Sequence, residues 1–168
     1  MQENVFSLLT YNIHKGFGVG TLRFLLPKMR EAIEMLSPDF VFLQEVQGRH
    51  DKKEKKVSDW PKESQFDFVG ANHWPHVVYG KNATYQAGHH GNAILSKYPL
   101  IFHENINISR IQRASRGLLH GTVMIADVDV HLLCVHLGLF KEERHKQVQK
   151  ITERIEANIP NDAPLVLA

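Results

Sequence analysis

Three apolar stretches of this sequence end on polar side chains of complementary chemistry. Leu8-Leu9-Thr10-Tyr11 runs into Asn12, and Val41-Phe42-Leu43-Gln44 runs into Glu45 with Gly48 soon after. Leu132-Leu133-Cys134-Val135 runs into His136, with Gly138 soon after. An amide, a carboxylate and an imidazole together suit a hard metal and an anionic substrate. The carboxylate offers an oxygen ligand to Mg²⁺ or Mn²⁺. The amide and the imidazole donate hydrogen bonds to phosphate oxygens. A polar side chain at the tip of a buried strand is held by a rigid element and faces the loops at one sheet edge, where layered α/β proteins keep their sites. Each residue also has a purely structural reading: Asn12 as a turn cap, Glu45 as an ordinary ion-pair partner, His136 as a satisfied core histidine.

The elements that must position these groups follow from pattern. Residues 5–12 are short, β-branched and aromatic, and read as a strand broken by Gly16, Gly18 and Gly20. Leu22, Leu25, Met29, Ile33 and Leu36 recur at helical spacing, with Pro27 in the first turn and Ser37-Pro38 as the stop. Residues 39–43 are the continuous apolar run of a buried strand. Residues 49–65 are charged and aperiodic, which fits a solvated insertion or helix face, or a phosphate-binding rim. Residues 77–79, 92–96 and 100–108 read as strands, and 118–126 with 130–136 as a hairpin across Asp127-Val128-Asp129. A helix follows with Phe140, Val148, Ile151, Ile155 and Ile159 on one face, then a turn at Asn161-Asp162-Ala163-Pro164 and a strand from Leu165.

Composition bounds the class. The chain has 168 residues, one domain's worth, and 43% hydrophobic content. That excludes disorder, collagen and coiled coil. A net charge of +2 is too weak to argue for nucleic acid by itself. No apolar run approaches the roughly 18 residues of a membrane span, and Met1-Gln2-Glu3-Asn4 lacks the basic start of a secretory signal. One cysteine, Cys134, excludes an internal disulfide framework and fits a reducing, cytoplasmic setting.

Five segments in order carry a family resemblance: Leu8-Leu9-Thr10-Tyr11-Asn12-Ile13-His14-Lys15-Gly16, then Asp39-Phe40-Val41-Phe42-Leu43-Gln44-Glu45-Val46, then Gly91-Asn92-Ala93-Ile94-Leu95-Ser96-Lys97-Tyr98-Pro99-Leu100, then Arg116-Gly117, then Val135-His136-Leu137-Gly138-Leu139. The chain resembles the endonuclease/exonuclease/phosphatase superfamily of metal-dependent phosphoesterases. The resemblance implies an α/β fold, a two-layer mixed β-sandwich flanked by helices. It implies Glu45 as metal ligand, Asn12 as positioning metal and phosphate, His136 as a hydrogen-bond donor to phosphoryl oxygens, and Arg116, more loosely matched, as facing the phosphate. The implied cofactor is Mg (or Mn). The implied substrate is a phosphoester, foremost a phosphodiester, of nucleic acid, phospholipid headgroup or sugar phosphate, and a non-catalytic metal-binding or interaction domain is the alternative.

Family members continue from a strand like Leu165-Val166-Leu167-Ala168 into Gly-Asp-Phe-Asn and finish with an Asp-His pair. Residues 1–168 are therefore expected to be the N-terminal part of a single domain of a longer enzyme, inactive alone. An inner sheet face carrying Leu8, Val41, Leu43, Leu133 and Val135 is expected to lie uncovered, favouring a homodimer or aggregate. Other candidates divide more evenly. His73, His76, His89 and His90 are metal ligands or loop histidines, with His90 beside a matched segment. His14, Lys15 and Tyr85 line the cleft or sit in exposed loops, and Cys134 reads as a small buried hydrophobe.

Overall fold

Short runs of Val, Ile, Leu and Phe are stable as strands only when they pair and bury a face. The computed structural model describes residues 5–71, 73–109 and 116–168; Met1–Asn4, read above for a leader, lie outside them. In chain order the elements are β1 (Leu8–Asn12), α1 (Leu26–Leu36), β2 (Phe40–His50), α2 (Asp51–Glu54), α3 (Gln65–Gly70), β3 (His76–Tyr85) and β4 (Gly88–Ser96). They continue as β5 (Leu100–Asn107), β6 (Gly117–Ile125), β7 (Val128–Val135), α4 (Lys141–Asn158) and β8 (Leu165–Leu167). The strands form two four-stranded sheets, ordered β1-β2-β4-β3 and β5-β6-β7-β8. Parallel neighbours need a crossover. α1 supplies it between β1 and β2, and α4 between β7 and β8. The other pairings are antiparallel.

Strand alternation sorts the apolar residues into layers. Phe40 and Phe42 of β2 face the second sheet and share a core with Ile94, Leu119, Leu132 and Cys134. Val41 and Leu43 face the other way, against Leu26, Met29, Ile33 and Val69 of the helices. On β7, Leu133 and Val135 likewise turn outward, toward Ile151 and Ile155 of α4. This corrects the expected inner face. Of the residues assigned to it, Leu8 packs between the sheets, whereas Val41, Leu43, Leu133 and Val135 lie under helices. Both sheets are present in the chain and cover each other, which removes the ground for expecting a homodimer or aggregate through that face. Phe42 is fully buried, so Phe42→Ala is expected to lower unfolding free energy by about 3–5 kcal/mol, read from the urea midpoint.

Several boundaries move. α1 starts at Leu26, and Leu22 lies before it, 97% exposed. Pro27 does sit in its first turn, and Ser37 ends it in the left-handed conformation. β2 runs past Gly48 to His50, because β4 pairs with it that far. The hairpin turns one residue earlier than expected, on Ala126 and Asp127, both at positive φ (49° and 63°). That two-residue geometry matches the twist of the flanking strands. On α4, Phe140 and Val148 are exposed, and the buried stripe is Glu143, Gln147 and Ile151. Gln147 Oε1 accepts the Gly138 N–H at 2.8 Å, and its Nε2 donates to Glu143.

His120 and His131 pair at 2.9 Å on β6 and β7, with His120 only 2% exposed. Burial pushes both imidazoles down; for His120, His131 and Arg154 add to it, bringing it to about 4. Below pH 6.5 the unfolded chain therefore binds a proton at His120 that the folded chain refuses. Stability is full above about pH 7 and falls as pH drops from 6.5 toward 4, by about 2 kcal/mol at pH 5 from this group. Urea midpoints at pH 7.5 and 5.0, with His120→Gln flattening the difference, measure this.

Candidate active site at the strand ends

Topology gathers the polar tips. β1 and β2 are parallel, so Asn12 pairs opposite Gln44. β4 and β6 are antiparallel to β2 and β7, so the starts of β4 and β6 share an edge with the ends of β1 and β7. The result is a cluster drawn from both sheets. Lys15 Nζ lies 3.1 Å from Glu45 Oε2, His14 Nδ1 3.6 Å from the same oxygen, and His136 Nδ1 3.8 Å from Glu45 Oε1. Asn12 Oδ1 accepts the His14 N–H at 3.0 Å. Arg116 precedes β6, its backbone held by Ser109 and Ile108, and its charge acts on His136 and His90.

A bulge aims Glu45. Leu43 pairs with Ala93 and Val46 with Gly91, so Gln44 and Glu45 together oppose Asn92. Leu43 and Val46 then fill the same helix-facing core although they are three residues apart. Glu45 is the extra residue, pushed into the left-handed region at φ 53°. His14 (45°) and Lys15 (58°) are left-handed too, in the 3₁₀ turn that follows β1. Gly16 completes that turn at φ 82°, where a Cβ would stand 2.6 Å from Phe24. Non-glycine residues at positive φ cost on the order of 1–3 kcal/mol each and collect at functional sites.

Buried amides hold the frame. Gln65 of α3 donates to Lys15 O and accepts from Gln47 N, each at 2.9 Å. Asn92 donates to Gly117 O and Cys134 O, stitching β4 to β6 and β7 between Arg116 and His136. Sequence reasoning gave neither a role; a lone Asn inside Gly91-Asn92-Ala93-Ile94-Leu95 was the available signal for the second.

The electrostatics favour an anion. Burial works to raise the Glu45 pKa, but the Lys15 hydrogen bond and charge, with His136 and His14, hold it below the ordinary carboxylate value. Burial, then Arg116, pushes His136 down, and Glu45 only partly offsets this. His90 is driven to about 4 by burial and then Lys15, so it is neutral at pH 7. Among the described residues Arg116 Nε is buried without a hydrogen-bond partner. Among the described residues Glu45 Oε1 accepts no hydrogen bond, His136 Nδ1 standing 3.8 Å away, and Asn12 lies on the neighbouring strand. Hard oxygen donors of this kind fit Mg²⁺ or Mn²⁺, which need only one or two carboxylates beside water and substrate phosphate. Among the described residues no group of three or more His, Cys, Asp and Glu is gathered for a metal.

Other candidates fall elsewhere. His73 meets Glu34 at 3.5 Å, and His89 bonds the Tyr79 hydroxyl at 3.0 Å. The Tyr85 hydroxyl accepts from Gln47 Nε2. Cys134 is fully buried, its thiol pushed up by burial to about 12. Among the described residues no helix is long and apolar enough to cross a membrane.

A family model described as the endonuclease/exonuclease/phosphatase family matches residues 9–168. The chain is 38% identical over 169 residues to the uncharacterized protein YbhP of Escherichia coli (strain K12), covering 99% of this chain. It spans 66% of the length of the curated relatives it matches. The endonuclease/exonuclease/phosphatase from Beutenbergia cavernae superposes with TM-score 0.74 at 19% identity, covering 97% of this chain and 46% of that one. D. rerio TDP2, solved in complex with a single-strand DNA product, superposes with TM-score 0.68 at 23% identity, covering 95% and 58%. These structures establish the shared fold of two β-sheets flanked by helices. With the family model matching nearly the whole of it, the chain belongs to the endonuclease/exonuclease/phosphatase family.

Proposed function

We propose that the whole protein is a metal-dependent hydrolase of phosphoesters, foremost phosphodiesters. One observation carries the reading: a single partly buried carboxylate, Glu45, on a left-handed bulge, ringed by Lys15, His14 and His136. Membership of a family whose enzymes generally depend on a divalent metal supports it. Glu45, with the Asn12 amide oxygen, would hold the ion, taken to be Mg²⁺ or Mn²⁺, which supplies Lewis acidity at the phosphoryl group. His136, neutral near pH 7, donates an N–H to a phosphoryl oxygen. Arg116, whose charge already acts on His136, would add its positive charge beside the same group.

The base that takes the proton from water is assigned to chain following β8. β8 runs parallel to β7, and Ala168 exchanges backbone hydrogen bonds with Leu133 and Val135, so residues after Ala168 would arrive beside His136. On this reading residues 1–168 alone do not turn over. The substrate class is a nucleic acid, a phospholipid headgroup or a sugar phosphate; the single-strand DNA product bound by D. rerio TDP2 makes nucleic acid the first to test. The experiment is a panel of phosphoesters offered to the whole protein with and without EDTA. Metal-dependent release of product from one class supports the reading, and no turnover of any class with Mg²⁺ or Mn²⁺ overturns it.

A further inference from the structure

Lys15 places an ammonium on the carboxylate oxygen that a divalent ion would claim. Its Nζ lies 3.1 Å from Glu45 Oε2, the hydrogen-bonded charge contact of that carboxylate. The placement is built into the fold. Lys15 holds a left-handed backbone (φ 58°), followed by Gly16, whose position admits no side chain. Its carbonyl is fixed by Gln65, 1% exposed, which also holds Gln47 two residues beyond Glu45. One buried amide thus ties together both arms of the ion pair. The side chain beyond this anchored backbone is partly exposed, and a lysine stem is flexible with three rotatable donors.

We infer that Lys15 is a stand-in cation: it neutralises Glu45 while the metal is absent, and it moves to a phosphate oxygen of the substrate when the metal takes the carboxylate. This rests on the metal reading of Glu45. A divalent ion and an ammonium that converge on one oxygen repel each other, and the repulsion grows as water is excluded. Lys15 and Arg116 both act by charge on His136, so an ammonium displaced from Glu45 stays beside the group that would meet the phosphate. Lys15 therefore opposes metal binding and favours phosphate binding, and its removal should move the two affinities in opposite directions.

The test is Mn²⁺ binding to the whole protein without substrate, read by EPR of the free ion. Inorganic phosphate affinity is then measured at saturating Mn²⁺. Lys15→Met should bind Mn²⁺ about two- to fivefold more tightly, the scale of losing one competing ion pair. It should bind phosphate about tenfold more weakly, for loss of a charge-assisted hydrogen bond. Lys15→Arg keeps the charge and should bind Mn²⁺ no more tightly than wild type; tighter binding there overturns the inference, whether or not Lys15→Met folds. Unchanged or weaker Mn²⁺ binding by Lys15→Met, with Glu45→Gln losing the ion, overturns the role of Lys15 and leaves the metal site standing. Wild-type Mn²⁺ binding by Glu45→Gln overturns the metal site itself.

Discussion

Glu45→Gln is expected to cut kcat/KM of the whole protein by about 10²–10³ or more while the fold survives. The amide keeps the shape of the side chain and loses the charge that holds a divalent ion. A metal's Lewis acidity is worth several kcal/mol of transition-state charge, and each 1.4 kcal/mol is tenfold in rate. The fold should tolerate the change because Glu45 is not in the core; its carboxylate is 19% exposed and its partners are side chains at the rim. Removing it leaves the Lys15 ammonium without its ion-pair partner, but that side chain is 31% exposed and can turn to water, so the loss should be about 1 kcal/mol. The measurement is a Mg²⁺ titration of turnover beside a thermal melt. Wild-type turnover at limiting Mg²⁺ would remove Glu45 from the metal site. A collapsed melt would instead mark it as structural.

Asn12, Glu45 and His136 stand out in the sequence because each follows an apolar run; Asn12 ends β1 and His136 follows β7, whereas Glu45 lies in the middle of β2 and is turned out by the bulge, not by a strand end. The faces of those strands are not legible. Val41, Phe42 and Leu43 are all apolar because β2 is buried on both sides, so the period of two disappears. The bulge leaves only a trace, Val46 three residues after Leu43. Gln65 and Lys15 are fifty residues apart, and their contact depends on where α3 docks. Glu143 and Gln147 look like surface residues in any helical wheel. They are buried because they hold the Gly138 loop beside His136, a tertiary reason that no local pattern carries.

His136→Ala should lower kcat by about 10²–10³ and change KM little. At its place after β7 the imidazole is pushed by burial, and then by Arg116, toward the neutral form, so near pH 7 it acts as an N–H donor and not as a cation. A neutral donor would gain little from a ground-state phosphate that the charges of Arg116 and Lys15, on the proposed reading, attract. Its hydrogen bond strengthens as charge builds on the phosphoryl oxygens in the transition state, and loss of one such donor costs about that factor. The loop behind it is held by Gln147 on the Gly138 N–H, so truncating the ring should not let the strand end drift. Because the pKa lies below the ordinary histidine value, the wild-type rate should persist as pH falls through 6.5, with any acid limb set lower. Steady-state kinetics across pH 5 to 8 separate the alternatives. A change confined to KM would make His136 a binder of the ground-state phosphate, and an unchanged kcat/KM would remove it from the site.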